Sequence, residues 1–138
     1  MKRRAPISQV LTTEVTYVER HQPLSEVYHL LIKAPFHHVP VVEGGRPVGI
    51  VSSIDVLRLA YDVEGTDERA LGAMLDYQFN IDDAMSTELR TLTTSATVRD
   101  AADAMADGEV HSVLVVDDGG KLAGIVTTTD LIRYLRDL

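Results

Sequence analysis

The sequence predicts an α+β fold: two copies of a β-α-β-β-α unit that pack against each other. Three observations carry this. An internal repeat runs nearly end to end, the apolar spacing in each copy switches between strand and helix periods in the same order, and a Gly-Gly turn stands at the same place in both copies. Shifting the sequence by 74 residues lays Thr13-Glu14 on Thr87-Glu88, His37 on His111, Val39 on Val113 and Val41-Val42 on Val115-Val116. One extra residue enters the turn, Glu43-Gly44-Gly45 against Asp117-Asp118-Gly119-Gly120. Beyond it Gly49-Ile50-Val51 falls on Gly124-Ile125-Val126, Asp55 on Asp130 and Arg58 on Arg133.

Each copy opens with a short strand, near Val15–Val18 and Leu89–Leu92. A helix follows. Its buried stripe is Leu24, Val27, Tyr28 and Leu31 in the first copy and Val98, Ala101, Ala102 and Met105 in the second, the i, i+3, i+4, i+7 spacing of one helical face. Pro35 stops the first helix; Thr97 and Asp100 form a capping-box pair at the start of the second, and Gly108 suits its end. Two strands come next, Val39–Val42 with Pro47–Val51 and Ser112–Val116 with Leu122–Val126, joined as hairpins by the glycine turns. A last helix starts near Ser53 or Thr128. The domain reading is therefore a first unit at 6–62, a connecting helical segment at 63–79 and a second unit at 80–138. In the connection, Thr66-Asp67-Glu68 reads as a helix start, and Ala70, Leu71, Met74 and Leu75 as its apolar face. A three-stranded unit buries little alone, so the copies are expected to pair.

Composition narrows the function. The 138 residues are 45% hydrophobic and 25% charged, the balance of a globular protein. Cysteine is absent, which excludes disulfides and thiolate chemistry and fits a reducing, cytoplasmic setting. Met1-Lys2-Arg3-Arg4 is basic, but no apolar stretch follows it as a signal peptide requires, and no run is long enough to span a membrane. A net charge of −8 repels a nucleic-acid backbone, and no basic patch with aromatics offsets it. Neither a nucleophile-elbow Gly-x-Ser-x-Gly nor a phosphate loop is present, so the chain is not expected to be an enzyme. His37 and His38 are neighbours on a strand and point to opposite faces, which argues against one metal taking both; no metal and no required cofactor are expected.

Two stretches, His37-His38-Val39-Pro40-Val41-Val42 and Gly49-Ile50-Val51-Ser52-Ser53-Ile54-Asp55, resemble the most recognisable parts of a CBS domain. The second copy supplies His111-Ser112-Val113-Leu114-Val115-Val116 and Gly124-Ile125-Val126-Thr127-Thr128-Thr129-Asp130. The resemblance covers residues 6–62 and 80–138. It implies a pseudo-two-fold pair of units with adenosine compounds (AMP, ADP, ATP or S-adenosylmethionine) held in the clefts between them as regulatory ligands. By resemblance, Asp55 and Asp130 bind ribose hydroxyls, and Ser52 and Thr127 contact phosphate or ribose, beside Ser53 and Thr128. His37, His38, Val39 and Pro40, with His111 and Val113, line the ligand, while Val15, Thr16, Leu89 and Arg90 meet the adenine. The chemistry suits this: a carboxylate accepts both hydrogen bonds of a vicinal diol, a helix start with free amides suits a phosphate, and Val39 or Val113 can pack on a purine. Leu114 and Ser112 depart from the family pattern, where proline and a basic residue are common, and weaken the phosphate side of the second copy.

Simpler readings stand beside these. Ser52-x-x-Asp55 and Thr127-x-x-Asp130 also fit capping boxes that need no ligand, and Asp55/Arg58 and Asp130/Arg133 fit surface ion pairs. The last helices are apolar on more than one face, with Val56, Leu57, Leu59 and Ala60 in one and Leu131, Ile132, Tyr134, Leu135 and Leu138 in the other. That predicts a homodimer through these helices. The expected function is an energy-sensing regulatory module acting on a separate effector protein; the alternative is a ligand-independent dimerisation or protein-interaction module.

Overall fold

The computed structural model describes residues 4–63 and 67–138. The fold is α+β, with two three-stranded sheets in the order β1-β2-β3 and β4-β5-β6. The first sheet is β1 (Val18–Glu19), β2 (His38–Glu43) and β3 (Arg46–Ser52), with α1 (Leu24–Lys33) between β1 and β2 and α2 (Ser53–Tyr61) after β3. Two helices follow, α3 (Glu68–Gln78) and α4 (Ile81–Ala84). The second repeat gives β4 (Thr91–Thr93), α5 (Val98–Met105), β5 (Ser112–Val116), β6 (Leu122–Thr127) and α6 (Thr128–Arg136). In it, β4 runs parallel to β5 and β5 antiparallel to β6, with Val113 opposite Val126. No helix among the described residues is long and apolar enough to cross a membrane.

The expected helices and hairpins form. Leu24, Val27 and Leu31 are buried on α1, and Val98, Ala101 and Met105 on α5. Gly44, Gly45 and Gly120 take positive φ in the hairpin turns, and Gly108 does so after α5, a conformation that costs glycine nothing. The connecting helix also forms: Asp67 caps it by accepting from the Ala70 amide at 2.9 Å. Thr66, read as part of that start, lies outside the described residues.

The opening strands differ from expectation. They begin later, at Val18 and Thr91 instead of Val15 and Leu89, and are short. The reason is how the chain divides in space. One compact unit combines the N-terminal segment through Val15 with Gly44–Arg46 and Leu89–Leu138, and the other combines Thr16–Glu43 with Pro47–Glu88. The segments just before β1 and β4 are thus each spent on the other repeat's unit, which leaves only the residues after them to pair with β2 and β5.

Both cores record this exchange. Ile7 and Val10 are buried with Val98, Ala101, Met105, Val113 and Val126. Ile7 lies in a single 3-10 turn, Ile7–Gln9, anchored by its amide to Ala96 O at 2.9 Å; Thr12 then bridges Ile125 through two backbone bonds of 2.9 Å. In the other unit, Ile81 and Ala84 of α4 are buried with Leu24, Val27, Val39 and Val51, and Ser86 bridges Ile50 in the same way at 2.9 Å. The repeat shift lays Ile7 on Ile81 and Thr12 on Ser86, so the two crossing segments are equivalent.

Candidate functional site

The motif residues form the β3–α2 and β6–α6 turns, and both turns are capping boxes. Ser52 stays extended (φ −101°, ψ 158°) as the N-cap of α2 and accepts the Asp55 amide on its Oγ at 3.1 Å, while Asp55 Oδ2 takes the Ser52 amide at 3.3 Å and hydroxyl at 2.8 Å. Thr127 and Asp130 repeat this: the Asp130 amide reaches Thr127 Oγ1 at 3.2 Å, and Asp130 Oδ2 takes the Thr127 amide at 2.8 Å and hydroxyl at 3.0 Å. The amide of Ser53 donates to His37 O at 2.8 Å and that of Thr128 to His111 O at 3.0 Å. Much of each helix start is therefore already satisfied, which leaves less for a phosphate than an uncapped terminus offers.

What the caps leave over differs between the turns. Asp55 Oδ1 has no partner among the described residues, and Arg58 makes no ion pair with it. Asp130 Oδ1 lies 3.9 Å from Arg133 Nη1, and both carboxylate oxygens lie 3.5 Å from Thr12 Oγ1. Ser86, the counterpart of Thr12, instead accepts the Glu88 amide at 3.4 Å. The i, i+3 ion pair read from both copies forms only in the second.

The motif glycines seat the crossing segments. A β-carbon on Gly124 would stand 2.6 Å from Thr12 O and 2.5 Å from Leu11 Cδ1, and one on Gly49 would overlap the Met85 side chain and stand 2.9 Å from Ser86 O. Thr12, Leu11, Met85 and Ser86 were not among the residues expected at the site. The signal was present: extending the repeat by one residue pairs Thr12 with Ser86, two hydroxyls.

The remaining expected residues separate by burial. His37, His38, His111 and Thr16 are exposed, and Ser52, Ser53, Thr127, Thr128, Val15 and Leu89 are half-buried. Val39 and Val113 are fully buried in the cores and Pro40 is buried on the same central strand as Val39, so none of the three offers a free face to a purine. Val15 and Thr16 fall on either side of the boundary between the compact units. Arg90 is engaged elsewhere: its Nη1 donates to Ala104 O at 2.6 Å, closing the end of α5, and its Nη2 pairs with Asp107 and Glu109 at 3.2 Å each. The Glu109 amide, and then Arg90, hold the Asp107 carboxyl below the usual carboxylate range, while Asp107 raises the Arg90 guanidinium. No group of three or more His, Asp or Glu that could hold a metal occurs among the described residues.

The CBS domain family model matches residues 7–62 and 81–137. The chain belongs to the CBS domain family. Among curated relatives, the protein MJ1225 of Methanocaldococcus jannaschii is 23% identical over 93% of this chain; the chain spans 46% of that protein's length. Among solved structures, CBSX2 in complex with AMP matches with a TM-score of 0.76 at 22% identity, over 96% of this CBS chain and 97% of that one. The CBS domain pair of MJ0100, in complex with 5'-methylthioadenosine and S-adenosyl-L-methionine, matches with a TM-score of 0.70 at 24% identity, over 95% and 99% of the two chains.

Proposed function

We propose that this CBS chain is a regulatory module that binds an adenosine-containing nucleotide (AMP, ADP, ATP or S-adenosylmethionine) at its strand-to-helix motif turns. The observation that carries the reading is the half-used carboxylate of Asp55. Its Oδ2 serves the helix cap, and its Oδ1 is left without a partner among the described residues, at a turn whose Ser52 and Ser53 are half-buried. A capped carboxylate with a spare oxygen can take a ribose hydroxyl without uncapping its helix. The ligands held by CBSX2 and by the MJ0100 pair support adenosine as the chemistry. Binding regulates only if it favours one arrangement of the module over another, and a separate cytoplasmic effector protein would take up that change. The chain itself is assigned no turnover.

The test is a thermal-shift panel of AMP, ADP, ATP and S-adenosylmethionine on the wild type and on Asp55→Ala and Asp130→Ala. A ligand at 100 times its dissociation constant stabilises a fold by about 2.7 kcal/mol, a shift of several degrees at this size. One compound should raise the midpoint, and Asp55→Ala should abolish the shift. A folded protein indifferent to all of them would sink the reading.

A second reading has its own observation. Ile54, Leu57 and Tyr61 of α2, with Ile132 and Leu135 of α6, are exposed, and Tyr61 keeps 77% of its surface. An open groove on α2 is lined by Ile54, Leu57, Arg58, Tyr61 and Asp62. Apolar helix faces of this kind favour a homodimer through the helices, with or without a ligand. A dimer in sedimentation that dissociates in Leu57→Asp, together with a blank ligand panel, would select this reading.

A further inference from the structure

We infer that the chain exchanges a segment with a second copy of itself: residues 4–12 of one copy seat on the second repeat of the other, with residues 13–16 as the hinge. The seat is apolar. Ala5, Ile7 and Val10 fill it against Val98, Ala101, Met105, Val113 and Val126. Backbone bonds fasten the segment at both ends, from the Ile7 amide to Ala96 O and the Val98 amide to Ala5 O, and between Thr12 and Ile125 in both directions. A second copy carries the same segment and makes the same contacts in the same seat, so exchange forfeits none of them. What decides whether a segment changes seats is the connection that follows it.

The two connections are equivalent in sequence and unlike in bonding. The one that follows Ser86 is pinned. There the Arg90 carbonyl accepts the Leu114 amide at 3.2 Å, and the Arg90 guanidinium donates to Ala104 O at 2.6 Å and pairs with Asp107 and Glu109. The repeat shift lays Thr16 on Arg90 and Pro40 on Leu114. Proline has no amide, so β2 offers the Thr16 carbonyl no donor at that position, and threonine carries no charge to clamp a helix end. Among the described residues, 13–16 make no hydrogen bond, and Thr13, Glu14 and Thr16 are exposed. The crossing segments differ in the same direction. Asp82 of α4 accepts from Arg20 Nε at 3.0 Å and Nη2 at 3.2 Å, while the matching positions Ser8 and Thr94 are uncharged. The connection at 13–16 therefore opens without breaking bonds of its own, and the bonds that residues 4–12 give up are those a second copy restores. In the exchanged pair the Gly124 seat beside the β6–α6 turn holds the other copy's Leu11 and Thr12, so each copy completes that turn for the other. The exchange does not depend on a ligand.

The test is disulfide trapping in the full chain, which has no cysteine of its own to interfere. Thr12 and Ile125 form an antiparallel pair that shares both backbone bonds. Such a pair sets its Cα atoms about 5.5 Å apart, within the reach of a disulfide. Folded Thr12→Cys and folded Ile125→Cys are mixed at high concentration in reducing buffer, equilibrated, then diluted and oxidised at once. The mixture should give a covalent dimer on a denaturing gel in clear excess over either variant alone, because collisional crosslinks fade on dilution and a seated segment stays in place. Adding Pro40→Leu to both variants supplies the missing amide for the Thr16 carbonyl. It should lower the dimer yield roughly two- to tenfold, the worth of one backbone hydrogen bond. A mixture with no more covalent dimer than the single variants would overturn the inference, and so would a yield that Pro40→Leu leaves unchanged. A homodimer through the helices alone leaves each segment in its own seat and gives the first of these two results.

Discussion

Gly49 and Gly124 show how much one missing β-carbon decides. Each lies under a segment that arrives from elsewhere in the chain and bonds to the next residue, Ile50 or Ile125. At Gly49 the obstacle to a methyl group is largely the flexible Met85 side chain, which can turn aside; at Gly124 it is the Thr12 carbonyl at 2.6 Å as well as Leu11. Backbone cannot turn aside without giving up the bridge. Both alanine substitutions should destabilise, by roughly 1–3 kcal/mol as overpacked sites do, with Gly124→Ala the costlier. Urea midpoints of the two variants measure this; equal costs would mean that the side chains, and not the bridge, set the fit. The glycines were legible in the sequence as parts of a repeated motif. Their purpose was not, because the atoms they make room for lie in the segment that precedes the first strand of the opposite repeat.

At the scale of elements, what was legible is what is local. The boxes Thr97/Asp100, Ser52/Asp55 and Thr127/Asp130 each join residues three apart, and all three form. The central strand β5 appears with the bounds its apolar run predicts. Helix α1 is the contrary case. Its N-cap is Pro23, which offers no side-chain acceptor, and its cap comes from α3: Asp76 takes the Ser25 amide at 2.8 Å and the Ser25 hydroxyl at 2.6 Å. No pattern within a helix window reveals a partner so distant in sequence. Gly72 brings the two helices close, since a β-carbon there would meet Ser25 Cβ at 3.4 Å. Asp76→Ala should cost about 1 kcal/mol, the usual worth of a cap, and should speed hydrogen exchange at the first-turn amides of α1 while leaving α5, capped by its own Thr97, unaffected. Unchanged exchange at Ser25 would show that water replaces the carboxylate at no cost.

At the scale of the whole molecule, a repeat in sequence is not the same thing as a unit in space. The linear reading puts residues 6–15 with the first repeat, but Ala5, Ile7 and Val10 are buried against Val98, Ala101 and Met105 of the second. Ile7 is fully buried and Val10 nearly so. Side chains of this kind contribute roughly 1.5–3 kcal/mol each when buried, so removing the segment withdraws a large share of the 5–15 kcal/mol that holds an ordinary domain. The loss should fall on the repeat more distant in sequence. Truncation through Val10 should cost Val98, Met105 and Val126 their amide protection first and leave Leu24, Val27 and Val51 protected, because the latter group is covered by Ile81 and Ala84 of α4, at the start of the second repeat. Hydrogen exchange read residue by residue decides it. Protection lost first at Leu24 and Val27 would restore the contiguous repeats as the folding units, and with them a site built from one repeat alone. Protection lost first around Val98 would mean that each motif turn works only with the segment lent to it by the other half, which is how Thr12 comes to stand over Asp130.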